Sequence, residues 1–132
     1  MLHCQRLLGE GQENSRTAGE NEATWFGFRD QLRTQAAVIL NPYVACLGGT
    51  TQYVKVASMA DVHGVVMSPH GQQQVHTHLD CGVPNVIMTE FYPAQYDAKI
   101  YEEFQYPIMP NSDGTVSPSE YQAPESTLTL IW

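Results

Sequence analysis

Residues 24–42 read TWFGFRDQLRTQAAVILNP, and the two halves of this stretch follow different patterns. Trp25, Phe28 and Leu32 recur at three and four residues, which predicts a helix over about 24–34 with Arg29, Asp30 and Arg33 on its outer face. Thr24 stands where an N-cap hydroxyl would close the first turn. Ala36-Ala37-Val38-Ile39-Leu40 then runs apolar without interruption until Asn41-Pro42 stops it, which predicts a strand. A short segment ending at Glu20 precedes the helix, so the order is strand, helix, strand.

The alternation continues outward from this unit. Gly48-Gly49-Thr50-Thr51 predicts a turn with a cap, followed by a helix through Tyr53, Val54, Ala57, Met59 and Ala60 that Gly64 ends. Val65-Val66-Met67 is a third strand broken by Pro69, Gln72 to Cys81 a further capped stretch, and Val86-Ile87-Met88 a fourth strand. Short apolar strands separated by helices are the pattern of βα units around a parallel sheet, so the expected class is α/β. Residues 1–15 show no sustained period and read as an irregular lead-in. Past Glu90 there is a short amphipathic piece over 98–104, a turn at Asp113-Gly114, and an alternation of Leu128, Leu130 and Trp132 that predicts a last strand or a packed loop.

With 132 residues the chain is sized for one domain, since domains cluster at about 100–150 residues. Fourteen acidic against six basic residues give a formal charge of −8, which argues against nucleic acid or an anionic membrane surface as partner. The longest apolar run, Ala36 to Leu40, is far short of the roughly 20 residues a spanning helix needs, and no basic-then-apolar leader opens the sequence. Cys4, Cys46 and Cys81 are an odd number without a CxxC pair, which speaks against a disulfide framework. A soluble chain in the cytoplasm is expected.

In a parallel α/β sheet ligands bind beyond the carboxyl ends of the strands, and the residues just past the apolar runs are Glu20, Tyr43, His70 and Glu90. Two carboxylates and an imidazole there can bind and transfer protons. His76-Thr77-His78 reads instead as polar residues at a helix start, because residues two apart on a helix face different ways and make a poor metal pair.

Several stretches together resemble one family, the mandelate racemase and acid-sugar dehydratase branch of the enolase superfamily. They include Ala18-Gly19-Glu20-Asn21-Glu22, Ile39-Leu40-Asn41-Pro42, Gly48-Gly49-Thr50-Thr51, Ala60-Asp61-Val62-His63-Gly64, Ser68-Pro69-His70-Gly71, Val83-Pro84-Asn85 and Glu90-Phe91-Tyr92-Pro93. The resemblance implies a (β/α)₈ barrel with a capping domain, and Mg²⁺ stabilising the enediolate formed when a base removes the proton next to a carboxylate. It also assigns roles: Glu20 as a metal-binding carboxylate, His70 as the general base or acid, and Glu90 as the acid that donates a hydrogen bond to the substrate carboxylate. A carboxyl at an apolar strand end could stay protonated for that purpose.

Two departures qualify these expectations. Tyr43 stands where the family has the aspartate that pairs with the catalytic histidine; a phenol could hold the ring but offers no charge, and in a Ser-His-Asp protease loss of such a carboxylate costs about 10⁴-fold in turnover. Asp61 and Asp80 fall in helical stretches and do not replace it. The second departure is length. A full barrel takes about 250 residues, so residues 16–132 are expected to hold only its C-terminal half, about the last four βα units. The capping domain, a lysine and two further metal carboxylates are then missing, and the chain is expected to be weak or inactive alone. A half-barrel also leaves open strand edges and an uncovered face, which favour self-association. The alternative is a non-catalytic remnant serving as a binding or assembly module.

Overall fold

The computed structural model describes residues 16–119; the lead-in over 1–15 and the alternation at Leu128, Leu130 and Trp132 lie outside the described residues. Strand β1 is Thr17–Ala18, helix α1 Trp25–Arg33, strand β2 Ile39–Leu40, helix α2 Thr50–Val62, strand β3 Val66–Met67, helix α3 Gln73–Asp80 and helix α4 Lys99–Glu102. The three strands form one parallel sheet in the order β1-β2-β3, with Thr17 opposite Ile39 and Ile39 opposite Val66, and Ala18 opposite Leu40 and Leu40 opposite Met67. The alternating βα order anticipated from the sequence is therefore present as an α/β fold.

Several expected elements are shorter than the pattern suggested. The fourth strand, read over Val86 to Met88, is among the described residues a single parallel bridge from Val86 to Met67. Met88 is half-exposed and adds no pairing. The strand read over 36–40 shrinks to two residues because Gln35 takes a left-handed conformation and the Ala36 N–H bonds back to Gln31 O, holding that stretch as the exit of α1. The amphipathic piece at 98–104 is one helical turn, α4. The turn at Asp113-Gly114 is present: Gly114 N–H donates to Asn111 O, and the Asp113 carboxylate accepts from the Thr115 N–H and hydroxyl.

The helix ends follow local chemistry. Thr24 caps α1, its hydroxyl accepting from Gly27 N–H at 3.3 Å. Helix α2 starts from the Gly48-Gly49 turn, with Gly49 as its N-cap and no side-chain cap hydrogen bond. It ends at Gly64 in a left-handed turn, with Val65 N–H donating to Ala60 O and Gly64 N–H to Asp61 O.

Phe28 and Leu32 of α1, Tyr53, Val56, Ala57 and Ala60 of α2, and Leu40 and Met67 of the sheet form one buried cluster. The register explains it: Leu40 and Met67 stand in one row facing the helices, while Thr17, Ile39 and Val66 form the opposite row, exposed or half-buried. Asn85 ties the layers together, its side-chain amide donating to Ala57 O of α2 and Val65 O before β3.

Candidate active site

Backbone pairing continues past the strands and sets the site residues side by side. Asn41 N–H donates to Ala18 O, Ser68 N–H to Leu40 O, His70 N–H to Pro42 O, and Glu90 N–H to Pro69 O at 3.4 Å. Each bond carries the parallel register one step beyond the sheet. The carboxyl-end residues named from the sequence therefore meet.

His70 is the centre of the cluster. Its Nδ1 lies 2.6 Å from Glu90 Oε2 and 3.7 Å from Glu20 Oε2. Glu90 Oε2 also accepts the Gly71 N–H at 2.9 Å. The Tyr43 ring stands edge-on to the imidazole, centroids 5.8 Å apart, and Tyr92 does the same at 6.4 Å. Tyr43 thus meets the ring by its edge: no hydrogen bond joins it to His70, and the imidazole nitrogen faces Glu90. Burial, then the charges of Cys46 and Glu103, push the Tyr43 phenol above its ordinary range, so it stays uncharged. Burial, then Glu90 by hydrogen bond and charge and Glu20 by charge, do the same to Tyr92.

Glu20 and Glu90 are 54% and 39% exposed, so Glu90 sits in a polar, hydrated corner and not in the enclosed apolar strand end expected for it. Asp80 does not reach His70; its carboxylate accepts from the Tyr53 hydroxyl and the Thr89 hydroxyl. Asp61 is an exposed residue of α2.

The sequence reading missed the polar residues of α3. His76, expected as a polar residue at a helix start, is fully buried: its Nε2 accepts the Val44 N–H at 3.3 Å, and its ring packs edge-on to Tyr53. Gln73 bonds to the backbone of Tyr92 through both ends of its amide, and Gln74 accepts the Ile108 N–H. These side chains pin three loops around the carboxyl end of the sheet. The only signal in the sequence was the dense run Gln72-Gln73-Gln74 after His70. A separate cavity of about 760 Å³ opens at the opposite, amino end of the strands, near Arg16, Arg33, His63 and Ile87, away from this chemistry.

Mg²⁺ takes six oxygen ligands in near-octahedral geometry. Among the described residues no group of three or more His, Cys, Asp or Glu could hold a metal. Glu20 offers one carboxylate, with Oε1 already accepting from the Asn21 amide. The described residues thus do not make a Mg²⁺ site.

Residues 15–123 match the family described as enolase C-terminal domain-like. Among curated proteins, the L-rhamnonate dehydratase of Saccharopolyspora erythraea is 37% identical over 75 residues, covering 57% of this chain and 19% of that protein. The chain thus spans about a fifth of that relative. Among solved structures, a mandelate racemase/muconate lactonizing enzyme from a marine actinobacterium aligns with a TM-score of 0.70 at 28% identity, covering 78% of this chain and 29% of the other. An L-talarate dehydratase from Polaromonas sp. JS666, complexed with Mg and L-glucarate, aligns with a TM-score of 0.62 at 27% identity, covering 77% and 28%. The order of the βα units, the cluster at their carboxyl ends and the matched span agree, and the chain belongs to the enolase C-terminal domain-like family, beside mandelate racemases and sugar-acid dehydratases.

Proposed function

We propose that residues 16–132 are the last four βα units of an enolase-type barrel and carry the proton-transfer side of a sugar-acid dehydratase or racemase site. The observation that carries this reading is the meeting of Glu20, His70 and Glu90, from the ends of β1, β3 and the segment after Val86, at one imidazole nitrogen. With Nδ1 against Glu90, the nitrogen left for chemistry is Nε2. It takes the proton next to the substrate carboxylate, and the C–H electron pair moves into that carboxylate to give an enediolate. In a dehydratase the β-hydroxyl takes that proton back from the imidazolium and leaves as water, and the resulting enol tautomerises to a 2-oxo-3-deoxy acid. In a racemase a second acid, outside the described residues, delivers a proton to the opposite face while the imidazolium of His70 keeps the one removed.

The same geometry supports weak or no turnover by the chain alone. No Lys or Arg among the described residues pairs with Glu20 or Glu90, and the chain carries a formal charge of −8. An anionic acid arriving there meets two carboxylates, and an enediolate would concentrate still more negative charge. Mg²⁺ is the cofactor proposed for the complete site, with Glu20 the one ligand offered here and the others coming from outside the described residues. The free, exposed Cys46 and Cys81 support a reducing compartment, the cytoplasm, and no described helix is long and apolar enough to cross a membrane. The half-exposed row of Thr17, Ile39 and Val66 supports self-association, with neither nucleic acid nor membrane as partner.

The test is product formation. The full chain, alone and mixed with a polypeptide supplying the capping domain and first four barrel strands of a relative, is incubated with Mg²⁺ and a panel of aldonic and aldaric acids. Keto-acid formation or configurational inversion is expected in the mixture and not from either part alone. A co-eluting complex that transforms none of the acids overturns the reading.

A further inference from the structure

We propose that Glu90 is the positioning carboxylate of His70: it takes the place at the ring nitrogen that the uncharged Tyr43 leaves vacant, and so fixes which imidazole nitrogen faces the substrate. The catalytic meaning of this assignment rests on the reading above, whereas the hydrogen bond itself does not.

Four side chains face the imidazole, Glu90, Glu20, Tyr43 and Tyr92, the last edge-on at 6.4 Å, and distance separates them. Glu90 Oε2 is 2.6 Å from Nδ1, in the range of a strong charge-assisted hydrogen bond, while Glu20 Oε2 at 3.7 Å is outside it. Tyr43 offers its ring edge and no hydrogen bond. Glu90 is itself held in place: its Oε2 accepts the N–H of Gly71, the residue next to His70, and its backbone N–H reaches Pro69 O. One carboxylate oxygen thus fixes the ring of residue 70 and the backbone of residue 71 together. His70 N–H in turn is anchored on Pro42 O, so ring and backbone are referenced to the same pair of strand ends.

The assignment changes what Glu90 does. Oε2 is taken up by Nδ1 and the Gly71 N–H, so the role the resemblance implied, a hydrogen bond to the substrate carboxylate, is left to Oε1. Through Oε2 Glu90 acts on His70. A histidine whose Nδ1–H is held by a carboxylate presents Nε2, with its lone pair, to the open side. The carboxylate that orients the base is thus supplied from the strand end after His70 and not from the one before it.

The test reads the imidazole directly and needs no turnover. In the ¹⁵N-labelled full chain, the His70 Nδ1–H, assigned with His70→Asn, is expected as a downfield proton at low temperature, where exchange with solvent is slowed. Glu90→Ala should abolish that resonance and Tyr43→Phe should retain it. Glu90→Gln, which keeps an acceptor oxygen without charge, should retain it at an upfield-shifted position in a chain whose other amide resonances are unmoved. A resonance that survives Glu90→Ala, is lost in Tyr43→Phe, or is missing from the wild type overturns the proposal. Failure of the product assay would sink the catalytic reading while leaving this assignment standing.

Discussion

Alanine at position 19 is expected to cost roughly 2–5 kcal/mol, the sum of overpacking and backbone strain, and to lower the melting temperature by roughly 10 °C or more. Gly19 has φ +121, a conformation L residues rarely adopt, and a β-carbon there would stand 2.3 Å from Cε1 and 2.9 Å from Cζ of Phe28. Phe28 is fully buried in the core and cannot swing aside. Gly64 provides the control, because its φ is also positive, at +67, but a β-carbon there meets nothing within 4 Å. Gly64→Ala should lose only the strain, about 1 kcal/mol. Equal losses in the two variants, measured by thermal unfolding, would mean that the Gly19–Phe28 approach does not exist. The effect reaches the site as well, since residue 19 adjoins Glu20.

Acidification should destabilise the fold through His76. Burial, and then the charge of His70, push its pKa down to about 4, against about 6.5 in an unfolded chain. A base whose folded pKa is depressed contributes stability that is complete above pH 6.5 and lost as pH falls toward 4. The loss approaches about 3 kcal/mol at the lower end, from the shift and 1.36 kcal/mol per unit. His76→Gln keeps an acceptor for the Val44 N–H and removes the titration. Urea midpoints from pH 7 to pH 4.5 should therefore fall more steeply for the wild type, while the carboxylates, common to both chains, cancel in the difference. Parallel curves would show that His76 titrates as an exposed imidazole.

What the sequence revealed and what it hid divide by the range of the interactions involved. Helix α1 and its Thr24 cap were legible because a capping hydroxyl and a 3.6-residue apolar period are local. The end of α2 at Gly64 was legible for the same reason. His76 was misread because its partner, the Val44 N–H, lies 32 residues away, and nothing near position 76 marks it as buried. Strand lengths were overestimated because apolar runs such as 36–40 and 86–88 show burial without showing which backbone groups pair.

The site divides in the same way. Glu20, His70 and Glu90 were singled out because strand-end positions follow the βα order and the resemblance supplied roles. Their mutual distances depend on register across three chain segments, which no local pattern encodes. The sequence exposed the replacement at Tyr43 but not its consequence, that the free ring nitrogen would go to Glu90.

The most direct test of the central claim, that this cluster performs proton transfer on a hydroxy acid, is exchange of the substrate α-proton in D₂O followed by ¹H NMR. It isolates the first bond broken and needs no leaving group to depart. In the assembled mixture with Mg²⁺, the α-proton of at least one sugar acid is expected to wash out, with His70→Asn slowing the exchange by about 10²-fold or more, the contribution typical of a positioned general base. Exchange that is undiminished in His70→Asn, or absent from a folded, assembled wild type across the panel, would contradict it.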